Sequence, residues 1–494
     1  MATYWALLLH FYQPPTQLPH VLRQVVRESY RPLIQLFADN PHARLTVNVN
    51  GVLTEMLMDH AYQDVPEGLA WLAQRGQLEF TGSAKYHPIL PLLPEEEVRR
   101  QIRANFNTNR RYLGTTYGPR GFFPPELCYS DRILGPVVDF GHDWLLLSGI
   151  ACHGQWPTDV VQRGNPLDAP ISFVFRDDVL SNGISFQTLD AHAFLEKLRN
   201  LGRHRRGDVY VVTAMDAETY GHHIAGWVEA FLGEVYRELR PETTAREAAH
   251  SRGLVPAGYV RSAAGEAGPI RGPRPSDGDG EGRHFPLPHQ VLGMERRPEE
   301  ASPIRLATVS EIVDSFPHME GCWPLASSWS TTADDLARGV PYPLWNDPGN
   351  HVHGLLWEHL SLCIELQQQA EQCADNPPSQ WHANIARNIL DTALHSCQFW
   401  WASRRPHWEV NMVFRGLADQ GQAALNASRS VELSGASRDQ KRLAWRRRLT
   451  AVELYRQVMD ELALDVDVVI NAGQQHGLVA QGNAGAAHPI AGLG

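Results

Sequence analysis

The chain has 494 residues, of which 43% are apolar, and this length and composition are typical of a folded protein with two or three packed units. Its formal net charge of −11 would repel a nucleic-acid backbone and an anionic membrane, so neither is expected as a partner. The six cysteines form no CxxC pair, and the N-terminal sequence has neither a basic region nor an apolar run long enough to span a bilayer, which together predict a cytoplasmic protein without a disulfide framework.

The first 240 residues alternate short β-rich runs with helical segments, which predicts a parallel α/β sheet or barrel. The predicted strands in chain order are TYWALLL, RLTVNV, QLEFT, GFF, DWLLLSG, ISFVF and DVYVVTAM. Between them, PEEEVRRQIRANFNTNRRYLG predicts a helix whose buried face carries Val98, Ile102 and Phe106. The segment HHIAGWVEAFLGEVYREL predicts a second helix with a broad buried stripe of Ile224, Trp227, Val228, Phe231, Val235 and Leu239.

The domain organisation is predicted from changes in composition. Residues 1–240 form the first part of a barrel domain, and residues 241–303, rich in Gly, Pro, Arg and acids, predict a disordered insertion. Residues 304–340 return to the barrel and add Trp-rich loops. Residues 341–470 predict a helical C-terminal domain, and residues 471–494 a flexible tail.

Four stretches place polar side chains where predicted strands end: LLLHFYQPP, GSAKYHPILP, GFFPPELCY and VVTAMDAETYGHH. Because the loops after parallel strands converge on one face of such a fold, we expect these side chains to lie close together. Taken singly, each has an ordinary structural explanation, either as a hydrogen-bonded histidine or as an acid at a helix N-terminus. The polar residues concerned are His10, Gln13, Tyr86, His87, Glu126, Asp216, Glu218, His222 and His223.

Two of these acids, Glu126 and Asp216, follow different apolar strands and have aromatic neighbours. A pair of carboxylates in an aromatic, histidine-lined pocket is suited to cleaving a glycosidic bond. One carboxylate attacks or stabilises the anomeric carbon, and the other protonates the departing oxygen.

The segments HFYQP, GSAKYHPILPLLP, GFFPPE, MDAETYGHH and HSCQFWWAS resemble, in order and spacing, the five sequence regions of glycoside hydrolase family 57. This family comprises α-glucan-acting amylases, 4-α-glucanotransferases, branching enzymes and amylopullulanases. The resemblance runs from residue 4 to beyond residue 401, apart from the insertion. It implies an incomplete parallel (β/α)7 barrel followed by a C-terminal helical bundle domain. No metal or other cofactor is expected.

The resemblance implies that Glu126 is the nucleophile and Asp216 the general acid/base of a retaining mechanism. The chain departs from the usual family pattern at Phe123, where a tryptophan is common, at Tyr12, which replaces a second histidine, and at His87, where some glucanotransferases have a glutamate. The residues that the resemblance assigns to substrate binding are His10, Tyr12, Gln13, His87, Phe123, Glu218, His223, Trp400 and Trp401.

The expected function is a retaining glycoside hydrolase or transglycosylase that acts on α-1,4-glucan or maltooligosaccharide through a glycosyl-enzyme. The acceptor of the glycosyl group is either water or a second glucan, so a 4-α-glucanotransferase or a branching enzyme is the alternative. The loop residues Trp323, Trp329 and Trp345 are either platforms for acceptor sugars or side chains packed under the helical domain.

Two further classes compete with this interpretation. A metal-dependent polysaccharide deacetylase would need histidines at helical spacing, whereas the pairs His222/His223 and His351/His353 are adjacent or alternating. A catalytically idle relative would bind α-glucan without turning it over. The sequence predicts no oligomeric state.

Overall fold

The structure is a computed structural model that describes residues 1–164, 170–203, 205, 207–241, 302–405 and 408–476. Residues 242–301 of the predicted insertion and residues 477–494 of the predicted tail therefore lie outside the described residues.

The described strands are β1 (Thr3–Phe11), β2 (Leu45–Val49), β3 (Leu78–Phe80), β4 (Gly121–Phe122), β5 (Trp144–Ser148), β6 (Val161–Gly164), β7 (Ile171–Arg176), β8 (Val209–Asp216), β9 (Ile304–Ala307) and β10 (His318–Glu320). All seven strands predicted from the sequence are present. They read as continuous apolar runs because they are buried on both faces, as strands of a parallel sheet are.

The strands form two sheets with the orders β3-β2-β1-β8 and β10-β6-β7-β5-β4, and β9 pairs with the start of β1. A parallel bridge between Gly82 and Phe122 joins β3 to β4. On the other side, the amide of Asp177 donates to the carbonyl of Val212 at 2.8 Å, which brings β7 beside β8. The described parallel strands thus follow one another around an incomplete barrel in the order β8-β1-β2-β3-β4-β5-β7, which confirms the predicted α/β fold class.

The helices surround this barrel and then form the C-terminal region, and no described helix is long and apolar enough to cross a membrane. Those of the barrel region are α1 (Pro19–Val25), α2 (Arg31–Asp39), α3 (Gly51–Asp59), α4 (Asp64–Gln74), α5 (Glu95–Leu113), α6 (Leu134–Asp139), α7 (Asp178–Ser185), α8 (Ala191–Arg203), α9 (Glu234–Glu238) and α10 (Val309–Ser315), with π-helical turns at Val26–Tyr30 and Val228–Gly233. The later helices are α11 (Ala333–Ala337), α12 (His351–Cys373), α13 (Pro377–Ala393), α14 (Cys397–Trp401), α15 (Val410–Leu433) and α16 (Arg438–His476).

The two helices predicted in detail need correction at their edges. In α5, Val98 and Ile102 are buried as predicted, but Phe106 is 41% exposed, with its ring 6.0 Å from that of Tyr117. The second predicted helix begins at Val228 rather than at the preceding histidines, because the backbone first turns through Gly221 and Gly226, both of which have positive φ.

The C-terminal helical region is present as predicted, and its last helix runs beyond the predicted end. The helix α16 extends to His476, past the residue 471 at which a flexible tail was predicted. Within this region α13 ends at Ala393 and α14 begins at Cys397. The interruption at residues 394–396 has a functional consequence, because it lies against the carboxyl ends of the barrel strands.

A buried ion pair fixes the helical region to the barrel. The guanidinium of Arg387 in α13 lies 2.8 Å from the carboxylate of Glu97 in α5, and their side chains are only 8% and 2% exposed. A second pair, Arg100 with Asp391, flanks it at 2.8 Å. Removing one partner of the buried pair would leave the other charge buried without its partner. The pair therefore holds α13, and the 394–396 segment that follows it, against the barrel.

Candidate active site

Glu126 lies in a strained turn directly after β4. Both Glu126 and Leu127 have positive φ, 59° and 48°, a conformation that non-glycine residues rarely adopt and that costs about 1–2 kcal/mol per residue. The turn is held by Trp329, whose amide donates to the carbonyl of Glu126 at 3.2 Å and whose indole Nε1 donates to Glu126 Oε2 at 2.9 Å. The strained turn therefore holds the Glu126 carboxylate in one fixed position.

Four predicted site residues form an aromatic stack beside that carboxylate. The His10 ring lies 4.8 Å from the ring of Phe123 and 4.9 Å from that of His87, with interplanar angles of 15° and 22°. The ring of Tyr12 continues the stack, 4.0 Å from His87. Phe123 therefore packs flat against His10, and the stack provides an apolar wall.

His10 is held as a neutral imidazole of one tautomer. Its Nδ1 lies 2.6 Å from Asn48 Oδ1, and since the amide nitrogen of Asn48 donates to Thr81, this oxygen accepts the Nδ1 proton of His10. Burial lowers the pKa of His10 to about 4, and the bond to Asn48 opposes that shift. Nε2 of His10 is thus an acceptor at neutral pH.

His87 connects the barrel with the helical region. Its Nδ1 lies 3.0 Å from Ser396 Oγ and 3.7 Å from Glu126 Oε1. Burial lowers the pKa of His87 well below its usual range, so it forms no charged pair with Glu126. Tyr12 makes a second link, with its hydroxyl 3.3 Å from Cys397 Sγ. The 394–396 interruption and the start of α14 therefore complete the site from the helical side.

Asp216 ends β8 and lies opposite His10 in the ladder between β8 and β1. Burial raises the pKa of Asp216 to about 6, and the positive charge of Arg176 opposes this rise. Burial, followed by the negative charge of Asp216, raises the pKa of Glu126 to about 8. The two carboxylates are therefore electrostatically coupled within one buried site, although they come from different strand ends.

Glu218 follows Asp216 in a short 3-10 turn, and two side chains donate hydrogen bonds to its carboxylate. The side-chain amide of Gln13 donates to its Oε1 at 3.0 Å, and the hydroxyl of Tyr30 donates to the same oxygen. Burial, then the charge of Asp216, raises the pKa of Glu218 to about 8. Gln13 and Glu218 thus form one hydrogen-bonded unit next to the acid pair.

The other predicted substrate-binding residues lie at the edge of this arrangement. The backbone amide of His223 donates to the carbonyl of Glu218 at 2.8 Å, and its ring lies 5.7 Å from that of His222. Trp401 packs with Tyr12, and the ring of Trp400 stands edge-on to Trp401 at 4.5 Å. Their predicted contact with a sugar stays a prediction.

The three loop tryptophans differ in their surroundings. Trp345 is fully buried under α12, so it is unable to act as a sugar platform, and that interpretation is wrong for this residue. Trp323 is 58% exposed. Trp329 lies between these extremes and binds Glu126, a role that was not anticipated.

Sequence reasoning also missed three supporting residues. Arg176 ends β7 and is buried. Its guanidinium donates to Asp178 and Asn182 at 2.6 and 2.8 Å, and its positive charge acts on Asp216. Asn48 and Ser396 orient His10 and His87. The sequence carries one signal for Asn48 and Arg176, which is a polar residue near the C-terminal end of an apolar run, in RLTVNV and ISFVFR respectively.

Comparison with known proteins identifies a family for the part of the chain that carries the site. The model of glycosyl hydrolase family 57 matches residues 8–250, a range that includes Glu126, Asp216 and the histidine stack. Residues 8–250 of this chain belong to glycosyl hydrolase family 57. This confirms the resemblance identified from the five sequence segments.

The curated relatives of this family 57 chain match over a limited region. "Alpha-amylase 1" of Dictyoglomus thermophilum is 26% identical over 146 residues, which is 29% of this chain and 21% of that protein. A "4-alpha-glucanotransferase" of Thermococcus kodakarensis is 27% identical over 139 residues, 28% of this chain and 21% of that one. The chain therefore aligns with about a fifth of the length of these relatives.

Solved family 57 structures share the fold over most of the chain. The branching enzyme of Pyrococcus horikoshii superposes with a TM-score of 0.59 at 13% identity, covering 93% of this chain and 94% of that one. The 4-alpha-glucanotransferase of Thermococcus litoralis gives 0.57 at 16% identity, covering 87% and 59%. At such identities the superpositions establish the fold and leave the reaction to be argued from the site.

Proposed function

We propose that the protein is a retaining enzyme that breaks α-1,4 bonds of an α-glucan through a glycosyl-enzyme intermediate. The observation that supports this proposal is the electrostatic coupling of two carboxylates, Glu126 and Asp216, inside one aromatic site. Membership of family 57 and the names of the matched relatives, amylases and 4-alpha-glucanotransferases, support the substrate class.

In the first step, the carboxylate of Glu126 attacks the anomeric carbon and forms a glycosyl ester. The bond from that carbon to the glycosidic oxygen breaks, and Asp216 gives its proton to the departing oxygen. The hydrogen bond from Trp329 to Glu126 Oε2 leaves Oε1 as the attacking atom and holds the carboxylate plane fixed.

The proton must lie on Asp216 when this step begins. In the empty site the pKa values of about 8 for Glu126 and about 6 for Asp216 favour the proton on Glu126. Moving it to Asp216 therefore costs free energy, which binding of the glycosidic oxygen next to Asp216 has to offset. The neutral His10 and His87 do not compete for this proton, because burial lowers the pKa of both.

In the second step, Asp216 takes a proton from the acceptor, whose oxygen then attacks the glycosyl ester. In the ester Glu126 carries no negative charge that would oppose a second charge beside it, so Asp216 can ionise. Arg176 favours that ionised form. Water as the acceptor gives hydrolysis, and a sugar hydroxyl gives transfer.

The decisive experiment is incubation of the protein with maltoheptaose, followed by chromatography of the products. We expect consumption of maltoheptaose, and none with Glu126→Gln. Glucose and short maltooligosaccharides alone indicate hydrolysis, whereas products longer than the substrate indicate a glucanotransferase or branching activity. If the unmodified protein binds maltoheptaose and amylose but leaves both unchanged, the proposal of an active enzyme is wrong.

A milder change tests the hydrogen bond to the proposed nucleophile. Trp329→Phe keeps a ring against Phe123 and removes the Nε1 donor to Glu126. Loss of one charge-assisted hydrogen bond is expected to lower kcat by about 10- to 100-fold. Since the lost bond had favoured the ionised carboxylate, the pKa of Glu126 rises. Glu126 has the higher pKa of the two acids in the free enzyme, so the basic limb of the kcat/KM profile moves to higher pH.

The matched control for this change is Trp381→Phe, at a tryptophan of α13 that is 61% exposed and lies outside the site. It should leave both kcat and the pH profile unchanged. An unshifted basic limb in Trp329→Phe would show that this bond does not tune the pKa of Glu126.

A further inference from the structure

The longest helix, α16, has an apolar stripe on its outer face. Trp445, Leu449 and Val452 follow one another at helical spacing and are 50%, 45% and 55% exposed. The inner face of the same helix is filled by Ala444, Ala451, Leu454, Val458 and Leu462. Single exposed apolar residues are common, but three in successive turns on one face mark a surface that another molecule covers.

A cleft of about 340 Å³ opens next to this stripe. It lies between α15 and α16, and His359 of α12 forms part of its wall. Leu425 and Val452 line the cleft while remaining half exposed, and Tyr455 lies deeper. The cleft is apolar and large enough to hold an aromatic side chain.

We propose that α16 forms the two-fold interface of a homodimer, packed antiparallel against the α16 of a second copy, with Leu449 at the axis. In this register, residues four before Leu449 meet residues four after it. Trp445 of each copy then lies opposite Glu453 of the other, next to Val452 at the mouth of the cleft, and its indole fills that cleft. The stripe and the cleft are thus complementary within one sequence, as a two-fold interface requires.

Charge along α16 favours the same arrangement. Residues 438–448 contain six basic residues against the single acid Asp439, whereas residues 449–461 contain three acids against the single base Arg456. Antiparallel pairing places the basic half of each helix against the acidic half of the other, and it brings Arg446 beside Glu453 of the second copy. A second copy therefore satisfies the apolar and the charged parts of this surface together.

The first test measures the molar mass of the full chain by size-exclusion chromatography with light scattering across a wide range of concentrations. We expect twice 55.3 kDa, falling towards the monomer on dilution. Trp445→Glu should raise the dimer Kd by about 100-fold or more, because a central tryptophan is the usual anchor of an interface. The control Trp381→Glu, at a tryptophan of α13 that is 61% exposed, should leave the Kd unchanged.

Charge reversal then tests the register. Arg446→Glu and Glu453→Arg should each weaken the dimer, because in each variant residues 446 and 453 have the same charge at both symmetry-related contacts. Circular dichroism should show that both variants are folded. An equimolar mixture of the two variants should restore the dimer, because in the mixed dimer residue 446 of each copy faces a residue 453 of opposite charge. Leu449→Cys should form a disulfide-linked dimer on oxidation, whereas Trp381→Cys should not.

A monomer at every concentration overturns the proposal. If deletion of residues 477–494 then produced a dimer, that segment of the chain would be the occupant of the stripe instead. A dimer that survives Trp445→Glu and whose Leu449→Cys variant does not cross-link would place the interface elsewhere, which equally overturns it.

Discussion

Glu126→Gly is expected to lose at least about 10⁴-fold in kcat/KM and to recover turnover in azide with inversion of configuration. Without the carboxylate no glycosyl ester forms, but the small side chain leaves room for azide on the face from which Glu126 attacks. On an α-linked substrate with an activated aryl leaving group, azide then yields a β-glycosyl azide. The product is identified by NMR of its anomeric proton.

Asp216→Gly is expected to give the opposite stereochemistry. Glu126 still forms the glycosyl ester from an activated substrate, because such a leaving group needs little protonation, and azide then attacks the ester in the second step. Two inversions give an α-glycosyl azide. Glu229→Gln, at an exposed carboxylate outside the site, is the control and should behave as the unmodified protein.

The two variants together assign the roles. If both gave the same anomer, or if Glu126→Gly kept activity without azide, the assignment of Glu126 as nucleophile would be wrong. If Glu126→Gly were inert with azide while Asp216→Gly still turned over with inversion, the two roles would be exchanged. That result would agree with the proton distribution of the empty site, in which Glu126 has the higher pKa.

The sequence predicted the barrel because its strands are local features. Each predicted strand is a short run of apolar and β-branched residues that needs no knowledge of its neighbours to be recognised. The strands β6 and β10 were missed for the opposite reason. VQRG and HME have no apolar alternation, and they pair with each other and, through β6, with β7 only because the fold brings them together.

The acids of the site were predictable and most of their partners were not. Glu126 and Asp216 stand out as carboxylates at the ends of apolar strands. Ser396, by contrast, reaches His87 across 309 residues of sequence, and no local pattern signals such a bond. Arg176 resembles any arginine at a strand end, and only its burial beside Asp216 gives it a role.

The stability of the protein is expected to depend on pH through the proposed nucleophile. The pKa of Glu126 is raised by burial from 4.5 to about 8. A carboxyl group whose pKa is higher in the folded state than in the unfolded one stabilises the fold fully below the unfolded value, and that contribution is lost as pH rises through the folded value. The free energy of unfolding should therefore fall between about pH 4.5 and pH 8 because of this group.

Glu126→Gln removes that dependence, because the amide does not ionise and its oxygen still accepts the hydrogen bond from Trp329. At pH 9 the variant should be more stable than the unmodified protein by about 2–4 kcal/mol, a large part of the cost of ionising a group shifted this far. At pH 5 the two proteins should have nearly the same Tm. Differential scanning calorimetry at both pH values measures the difference, with Glu229→Gln as the control for an exposed carboxylate.

The difference in Tm between variant and unmodified protein, rather than either Tm alone, carries the result, since other groups titrate over the same range. A difference that grows from pH 5 to pH 9 means that Glu126 is ionised in the folded protein only at a free-energy cost. An equal difference at both pH values would mean that Glu126 titrates near its ordinary value. The proton would then already lie on Asp216 in the empty site, and the retaining step would need no transfer between the two acids.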